Sequence, residues 1–188
     1  MKISVYIATS LDGFIARENG DLDWLPDADG ESQQTAEDYG YRHFIETIDM
    51  LVMGRNTFEK VLSFGQWPYG ERRCVVLTSR DSMIPEKMAA HILVRNAQPD
   101  ELIKELDEMG VQHIWLDGGK TIQQFLCEGF VDEMIITRVP VLIGAGIPLF
   151  GHIMDDINLR HIETVSFKSG FVQSRYAVAR KPQAKRNS

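Results

Sequence analysis

Residues 2–9 (KISVYIAT) alternate Ile3, Val5 and Ile7 against Lys2 and Ser4, then turn apolar on both sides. That pattern predicts a strand entering the middle of a sheet. SLDG and RENGDLDWLPDADG follow, dense in Gly, Asp, Asn and Pro, and predict a long loop of the kind that often carries function. Over 35–48, Tyr41, Phe44, Ile45 and Ile48 share one helical face. DMLVMG reads as a short buried strand running straight into a helix, RNTFEKVL; RRCVVLTS is another buried strand and HILV a short one. Over 100–109, Leu102, Ile103, Leu106 and Met109 point inward along an amphipathic helix that Gly110 stops. HIWLD predicts a strand, followed at once by GGK and the helix TIQQFLCE. VDEMIITRV is a strand, PVLIGAGIPLFG a turn-rich loop, and RHIETVSF, KSG and FVQSRYAVA form a closing hairpin.

Strand and helix thus repeat until antiparallel strands end the chain. This order predicts an α/β sheet of mixed strand direction, with helices on both faces and ligand sites at the carboxyl ends of the parallel strands. The 188 residues suit a single domain over 1–180, and the last residues, 181–188, read as a polar tail.

Charge narrows the partners. The formal net charge of −7, without a concentrated basic face, argues against binding nucleic acid through its phosphates, though a local pocket can still hold a small anion. Cys74 and Cys127 sit inside apolar runs and read as buried free thiols. The five histidines show no metal-ligand spacing. No apolar run approaches the roughly 20 residues of a membrane span, and no signal peptide is visible, so the expected setting is the cytoplasm.

Three segments can carry chemistry. Gly54-Arg55-Asn56-Thr57 opens a helix straight from a strand. Free N–H groups, the helix dipole and a guanidinium suit a phosphate there, with Thr57 either a helix cap or a phosphate donor; the plain alternative is an ordinary glycine turn. Thr78, Ser79 and Arg80 end the next strand and either hold a phosphate or close a polar turn. Gly118, Gly119, Lys120 and Thr121 lie between strand and helix, where paired glycines allow close approach of a ligand. Neither GxxxxGK[ST] nor GxGxxG is present, so neither a P-loop nor a Rossmann fingerprint explains these turns.

The segments IATSLDGFIARENGDLDWL, LVMGRNTFE, CVVLTSR, IWLDGGKTIQQFL and DEMIITRVPVLIGAGIPLFG, in this order, resemble the dihydrofolate-reductase-like superfamily over about 1–180. Within it, PVLIGAGIPLF resembles the RibD C-terminal family, the reductase domain of the bifunctional riboflavin deaminase-reductase. The resemblance implies a three-layer α/β/α fold with a mixed, mostly parallel sheet and a C-terminal antiparallel hairpin. It implies NADPH as hydride donor and a homodimer. By matching position, Ala8 and Ile15 offer backbone groups to the nicotinamide carboxamide. Gly54, Arg55 and Thr57 bind the pyrophosphate; Thr78, Ser79 and Arg80 bind the adenosine ribose and its 2′-phosphate. Gly118, Gly119, Lys120 and Thr121 line the phosphate bridge, with a cis peptide expected at Gly118–Gly119. Residues 16–25 correspond to a loop that closes over the nicotinamide.

On the substrate side, Asp12, Asp23 and Trp24 sit where they could meet substrate. Asp12 alternatively caps a turn, and Trp24 alternatively staples the core under the loop. Asp38 falls where folate reductases keep their pterin-binding acid and Thr137 near their pterin-contacting threonine, although Asp38 also reads as a solvated first-turn residue. Asp12 and Asp38 are the candidate catalytic acids. The expected activity is hydride transfer to a small heterocycle, imine or carbonyl, similar to the 5-amino-6-(5-phosphoribosylamino)uracil reductase step. The zinc-deaminase half, with its HxE and PCxxC signature, is missing from the chain. A true folate reductase and a non-catalytic NADP-binding module are the alternatives.

Overall fold

A computed structural model describes residues 1–26, 37–80 and 83–179. The first strand, β1 (Lys2–Ser10), is followed by the short β2 (Phe14–Ala16), helix α1 (Tyr41–Glu46), β3 (Met50–Gly54) and α2 (Arg55–Leu62). Then come β4 (Arg73–Leu77), a 3-10 turn (Glu86–Met88), β5 (Ile92–Arg95), α3 (Pro99–Glu108), β6 (His113–Asp117) and α4 (Gly119–Cys127). The chain ends with β7 (Glu133–Val139), β8 (Ile147–Pro148), β9 (Leu159–Ser166) and β10 (Val172–Val178).

One eight-stranded sheet runs in the order β5-β4-β3-β6-β1-β7-β10-β9. Every pairing from β5 to β7 is parallel, and β10 and β9 add antiparallel to that edge. Alternation along the strands builds the two cores. Val5, Val52, Ile114 and Leu116 face one side, against Leu102 and Leu106 of α3 and Ile122 and Phe125 of α4. Leu51, Met53, Cys74, Val76 and Trp115 face the other, against Phe44 and Ile45 of α1 and Phe58 and Val61 of α2. Helices thus cover both faces, which is why the central strands carry apolar residues at consecutive positions. Among the described residues, no helix is long and apolar enough to cross a membrane.

Local departures from the sequence reading have local causes. The helix expected over 35–48 is confined to Tyr41–Glu46, because Tyr39 (φ 52°) and Gly40 (φ 81°) form a left-handed turn just before it. Residues 27–36 and the tail at 181–188 lie outside the described residues. Helix α3 starts at Pro99, where Gln98 and Glu101 form a reciprocal capping box, and it ends before Met109. Met109 is therefore exposed rather than inward-facing. Cys74 is buried as expected, and burial pushes its thiol pKa up. Cys127, expected to be buried, is exposed, because it is the last residue of α4 and only the opposite face of that helix meets the sheet. The turn-rich loop after β7 contains β8, which pairs with β2 as a separate two-stranded ribbon.

The amino-terminal ends of the strands are tied by a polar network. Ser4 Oγ lies 2.8 Å from His113 Nε2 and donates to Glu133 Oε2 at 3.2 Å, while Glu133 pairs with Lys2 and Arg175. His113 Nδ1 lies 3.1 Å from the Thr47 carbonyl, which only accepts, so the proton of the neutral ring sits on Nδ1. Burial, and then the Lys2 charge, hold the His113 pKa below its usual 6.5. A depressed histidine means that the unfolded chain binds the proton more readily, so stability falls as pH drops below about 6.5. We expect the thermal midpoint to decrease between about pH 7 and pH 5.5, and His113→Asn to flatten that decrease. An unchanged slope in the variant would remove His113 as the cause.

Candidate functional site

Four neighbouring strands, β4, β3, β6 and β1, send their carboxyl ends to one edge of the sheet. At about 4.8 Å between strands, the row spans roughly 14 Å. Gly54 at the end of β3 is in register with Leu77 of β4, and Met53 with Asp117 of β6, so the turns after these strands lie side by side.

The two central turns interlock. Thr57 is the third residue of α2 and Thr121 the third of α4. A Cβ on Gly118 would lie 2.2 Å from Thr57 Oγ1, and a Cβ on Gly54 would lie 3.2 Å from Thr121 Oγ1. Each threonine thus crosses the glycine of the other turn. Gly118 also has φ 87° and ψ 131°, a combination that side chains disfavour. Gly119 is closed in on its other side: its Cβ would meet Ile15 Cδ1 at 3.0 Å and the Pro148 carbonyl at 3.3 Å. The cis peptide expected at Gly118–Gly119 is not present, because the positive φ of Gly118 already turns the strand into the helix through a trans bond.

Neither α2 nor α4 has a side-chain cap, and neither carries an acid in its first turn. Their first N–H groups therefore lack helical partners, and two helix dipoles point at the same edge. This donor set, with Lys120 exposed beside it, fits a bridging diphosphate and would repel a cation. Arg55 turns back along its helix to Glu59 (3.0 Å) while part of its side chain stays exposed. At the end of β4, the Thr78 hydroxyl accepts from Arg80 N and donates to Arg80 O, both at 3.0 Å. Thr78 thus builds the turn that leaves Ser79 and Arg80 exposed.

Past the end of β1, the Asp12 carboxylate accepts from Ser10 Oγ (2.6 Å), Gly144 N (2.8 Å) and Ile143 N (3.2 Å). The Ser10 hydroxyl, then these amides, hold its pKa below the usual carboxylate value. Asp12 thereby pins the loop after β7 to the loop after β1. In the 16–25 loop, Arg17 grips Asp23 with two bonds (2.6 and 3.0 Å), and Asp21 reaches Lys60 of α2 at 2.8 Å. Trp24 is 8% exposed and packs with Val139, Phe171 and Ala8. Its indole N–H is buried with no hydrogen-bond partner among the described residues, an arrangement that costs roughly 1–3 kcal/mol.

Ala8 is in register with Thr137 of β7, and Thr137 with Gln173 of β10. Above this row, Tyr6 Oη donates to the Tyr39 carbonyl at 2.9 Å, and burial pushes the Tyr6 pKa up to about 12. Asp38 is exposed, and its two oxygens accept from Gly40 N (3.1 Å) and Arg42 N (3.3 Å) at the start of α1. It therefore does not reach Thr137, whose hydroxyl accepts from Gln173 instead.

Sequence reasoning placed Asp117 at the head of the Gly118-Gly119-Lys120-Thr121 segment without a role, and passed over Gln173 and Tyr69. Burial holds the Asp117 carboxyl above the usual carboxylate range, although it accepts from Gly118 N (2.8 Å) and from the buried Tyr69 hydroxyl. An acid closing an apolar strand just before two glycines was the available signal. Gln173 opens the polar run Gln173-Ser174-Arg175 of β10, and nothing local marks it.

Comparison with known proteins supports one family. The model of the RibD C-terminal domain matches residues 1–173. The uncharacterized protein YwjB of Bacillus subtilis is 38% identical over 170 residues, covering 88% of this chain and 92% of that protein. A crystal structure of a protein assigned provisionally to riboflavin biosynthesis, from Shewanella sp. PV-4, superposes with a TM-score of 0.87 at 37% identity, covering 96% of this chain and all of that one (100%). The diaminohydroxyphosphoribosylaminopyrimidine deaminase/5-amino-6-(5-phosphoribosylamino)uracil reductase of Thermotoga maritima shares the fold, with a TM-score of 0.71 at 14% identity, and this chain spans 56% of its length.

Gly118→Ala tests the interlock. The strained φ and the clash with Thr57 should together cost roughly 2 kcal/mol or more, a drop of at least about 4 °C in thermal midpoint for a chain of this size. Combining it with Thr57→Ser should not recover the loss, because the clashing oxygen remains, whereas Thr57→Gly should recover part of it. Equal stability of Gly118→Ala and the parent by calorimetry would refute the close approach.

Proposed function

Since the chain belongs to the RibD C-terminal domain family, we propose that it is an NADPH-dependent reductase of a small heterocyclic substrate. The observation that carries this reading is the pair of uncapped, acid-free helix starts interlocked at the sheet edge. Two such starts side by side suit the two phosphates of a dinucleotide better than one phosphate.

The nicotinamide cofactor, when bound, supplies the hydride. The chain's part is binding, orientation and exclusion of water. The amides of Gly54, Arg55 and Thr57 and of Gly119, Lys120 and Thr121 hold the diphosphate, and Gly118, whose N–H is given to Asp117, lines it with bare backbone. Backbone groups of Ala8 and Ile15 orient the carboxamide. The Thr78 turn presents Ser79 and Arg80 to the adenosine end, where the guanidinium distinguishes a 2′-phosphate from a hydroxyl. On the substrate side, the 16–25 loop, braced through Asp23 and Asp21, covers the site and offers the Trp24 indole N–H to an acceptor on the ligand. Asp12 contributes by fixing the loop after β7. Asp117, whose carboxyl burial holds above its usual range, accepts from Gly118 N and so fixes the turn at the diphosphate edge.

The folate-reductase alternative is weakened by Asp38, which is exposed and engaged at the start of α1.

Titration of the protein with NADPH and NADH, followed by nicotinamide fluorescence, tests the reading. We expect clear preference for NADPH. Arg80→Ala should weaken NADPH at least about tenfold, as expected for loss of a charge-assisted bond, and leave NADH nearly unchanged. Equal loss for both nucleotides would remove Arg80 from the 2′-phosphate site, and failure of the parent protein to bind either would overturn the reductase assignment.

A further inference from the structure

Gln173 makes contacts that reach across the candidate substrate site. It lies on β10 in the register row Ala8, Thr137, Gln173. Its Nε2 is 2.9 Å from the Tyr39 carbonyl, 2.9 Å from Thr137 Oγ1 and 3.4 Å from Tyr6 Oη. The Tyr39 carbonyl can only accept, so the side-chain atom facing it must be the NH2 group, which fixes the orientation of the amide. One of its protons goes to Tyr39 O and the other to Thr137 Oγ1, the nearer of the two hydroxyls.

This biases the polarity of Thr137. One lone pair of its oxygen accepts from Gln173, and among the described residues its own proton has no acceptor. Thr137 is nevertheless buried, at 5% exposure, one strand over from Ala8 and the Trp24 cluster. A buried hydroxyl proton without an acceptor is a donor waiting for one.

We propose that Gln173 is a positioning and specificity-determining residue: it holds the Thr137 hydroxyl as a hydrogen-bond donor, so that the site favours heterocycles presenting an exocyclic carbonyl oxygen there over those presenting an exocyclic amino group. This rests on the reductase reading for its biological meaning but not for its test. A carboxylate in place of the amide would accept the Thr137 proton and turn the hydroxyl into an acceptor. An apolar side chain of the same length would leave it free to rotate.

Two probes separate these states. 5,6-Diaminouracil offers ring carbonyl acceptors, and 2,4,5,6-tetraaminopyrimidine replaces them with amino donors. Both are titrated calorimetrically at about pH 8, with and without NADPH, so that loss of cofactor binding, which would overturn the reductase reading, leaves the comparison intact. The parent protein should bind the carbonyl probe about tenfold tighter, the size of one well-made hydrogen bond. Gln173→Met should bring the two affinities to within about twofold while NADPH affinity is unchanged, and Gln173→Glu should favour the amino probe. A general loss of structure would weaken both probes together and would not invert their ratio. A parent protein without preference, or a Gln173→Met variant that keeps it, would overturn the proposal.

Discussion

The site depends on the crossing of two threonines over two glycines. Strands β3 and β6 are adjacent and parallel, so the helices that leave them must start about one strand spacing apart. That is closer than two helices usually pack, at 8–10 Å between axes, and it requires bare backbone where the turns meet. Gly118 provides it under Thr57, and Gly54 under Thr121. The same approach brings the open amides of α2 and α4 to one edge. The packing constraint and the proposed diphosphate site therefore rest on the same four residues, and a change that relaxed the packing would also spread the donors.

The remaining elements adjust what surrounds that edge. β2 and β8 form a ribbon over Gly119, placing Ile15 and Pro148 against it, and Gln123 of α4 donates to the Pro148 and Leu149 carbonyls to hold the ribbon down. Asp12 ties the loop after β1 to the loop after β7. At the far end of the sheet, the Ser4–His113–Glu133 network fixes the same strands by polar contacts. The central strands are thus held at both ends, which suits a site that works by orienting its ligands.

How much of this was legible follows from the range of each interaction. The succession of strands and helices, the parallel run and the closing hairpin are written in apolar patterning and in strand–turn–helix junctions, which are local; the order of the strands in the sheet is not. The turns at Gly54, Thr78 and Gly118 were legible for the same reason. The interlock was not, because Thr57 and Gly118 are far apart in sequence and meet only once β3 and β6 pair. Nor was the short α1, since a left-handed Tyr39 is a conformation that local sequence disfavours. Asp38 illustrates the limit of matching by position: the type of residue agrees with an acid that binds a ring, while its oxygens cap a helix start. Gln173 had no local signal, because its meaning lies in the row that crosses three strands.

The acidic character of the chain looks ill suited to an anionic cofactor, and the placement of the acids resolves this. Asp12, Asp21, Asp23 and Asp38 all lie near the candidate site, and each is matched locally: Asp12 by a hydroxyl and two amides, Asp21 by Lys60, Asp23 by Arg17, Asp38 by two helix amides. The pKa values of the first three are held below normal by those partners, so the carboxylates stay charged and stay engaged. At separations comparable to the Debye length, about 8 Å in physiological salt, the ion pairs Asp21–Lys60 and Asp23–Arg17 add little to the field at the sheet edge. Asp12 and Asp38 keep their charge, solvated by hydroxyl and amide donors that are separate from that edge's own donors: two helix starts, Lys120 and Arg80. A net charge of −7 is therefore compatible with a locally positive groove, because the field at a site is set by which charges lack partners nearby rather than by their sum over the chain.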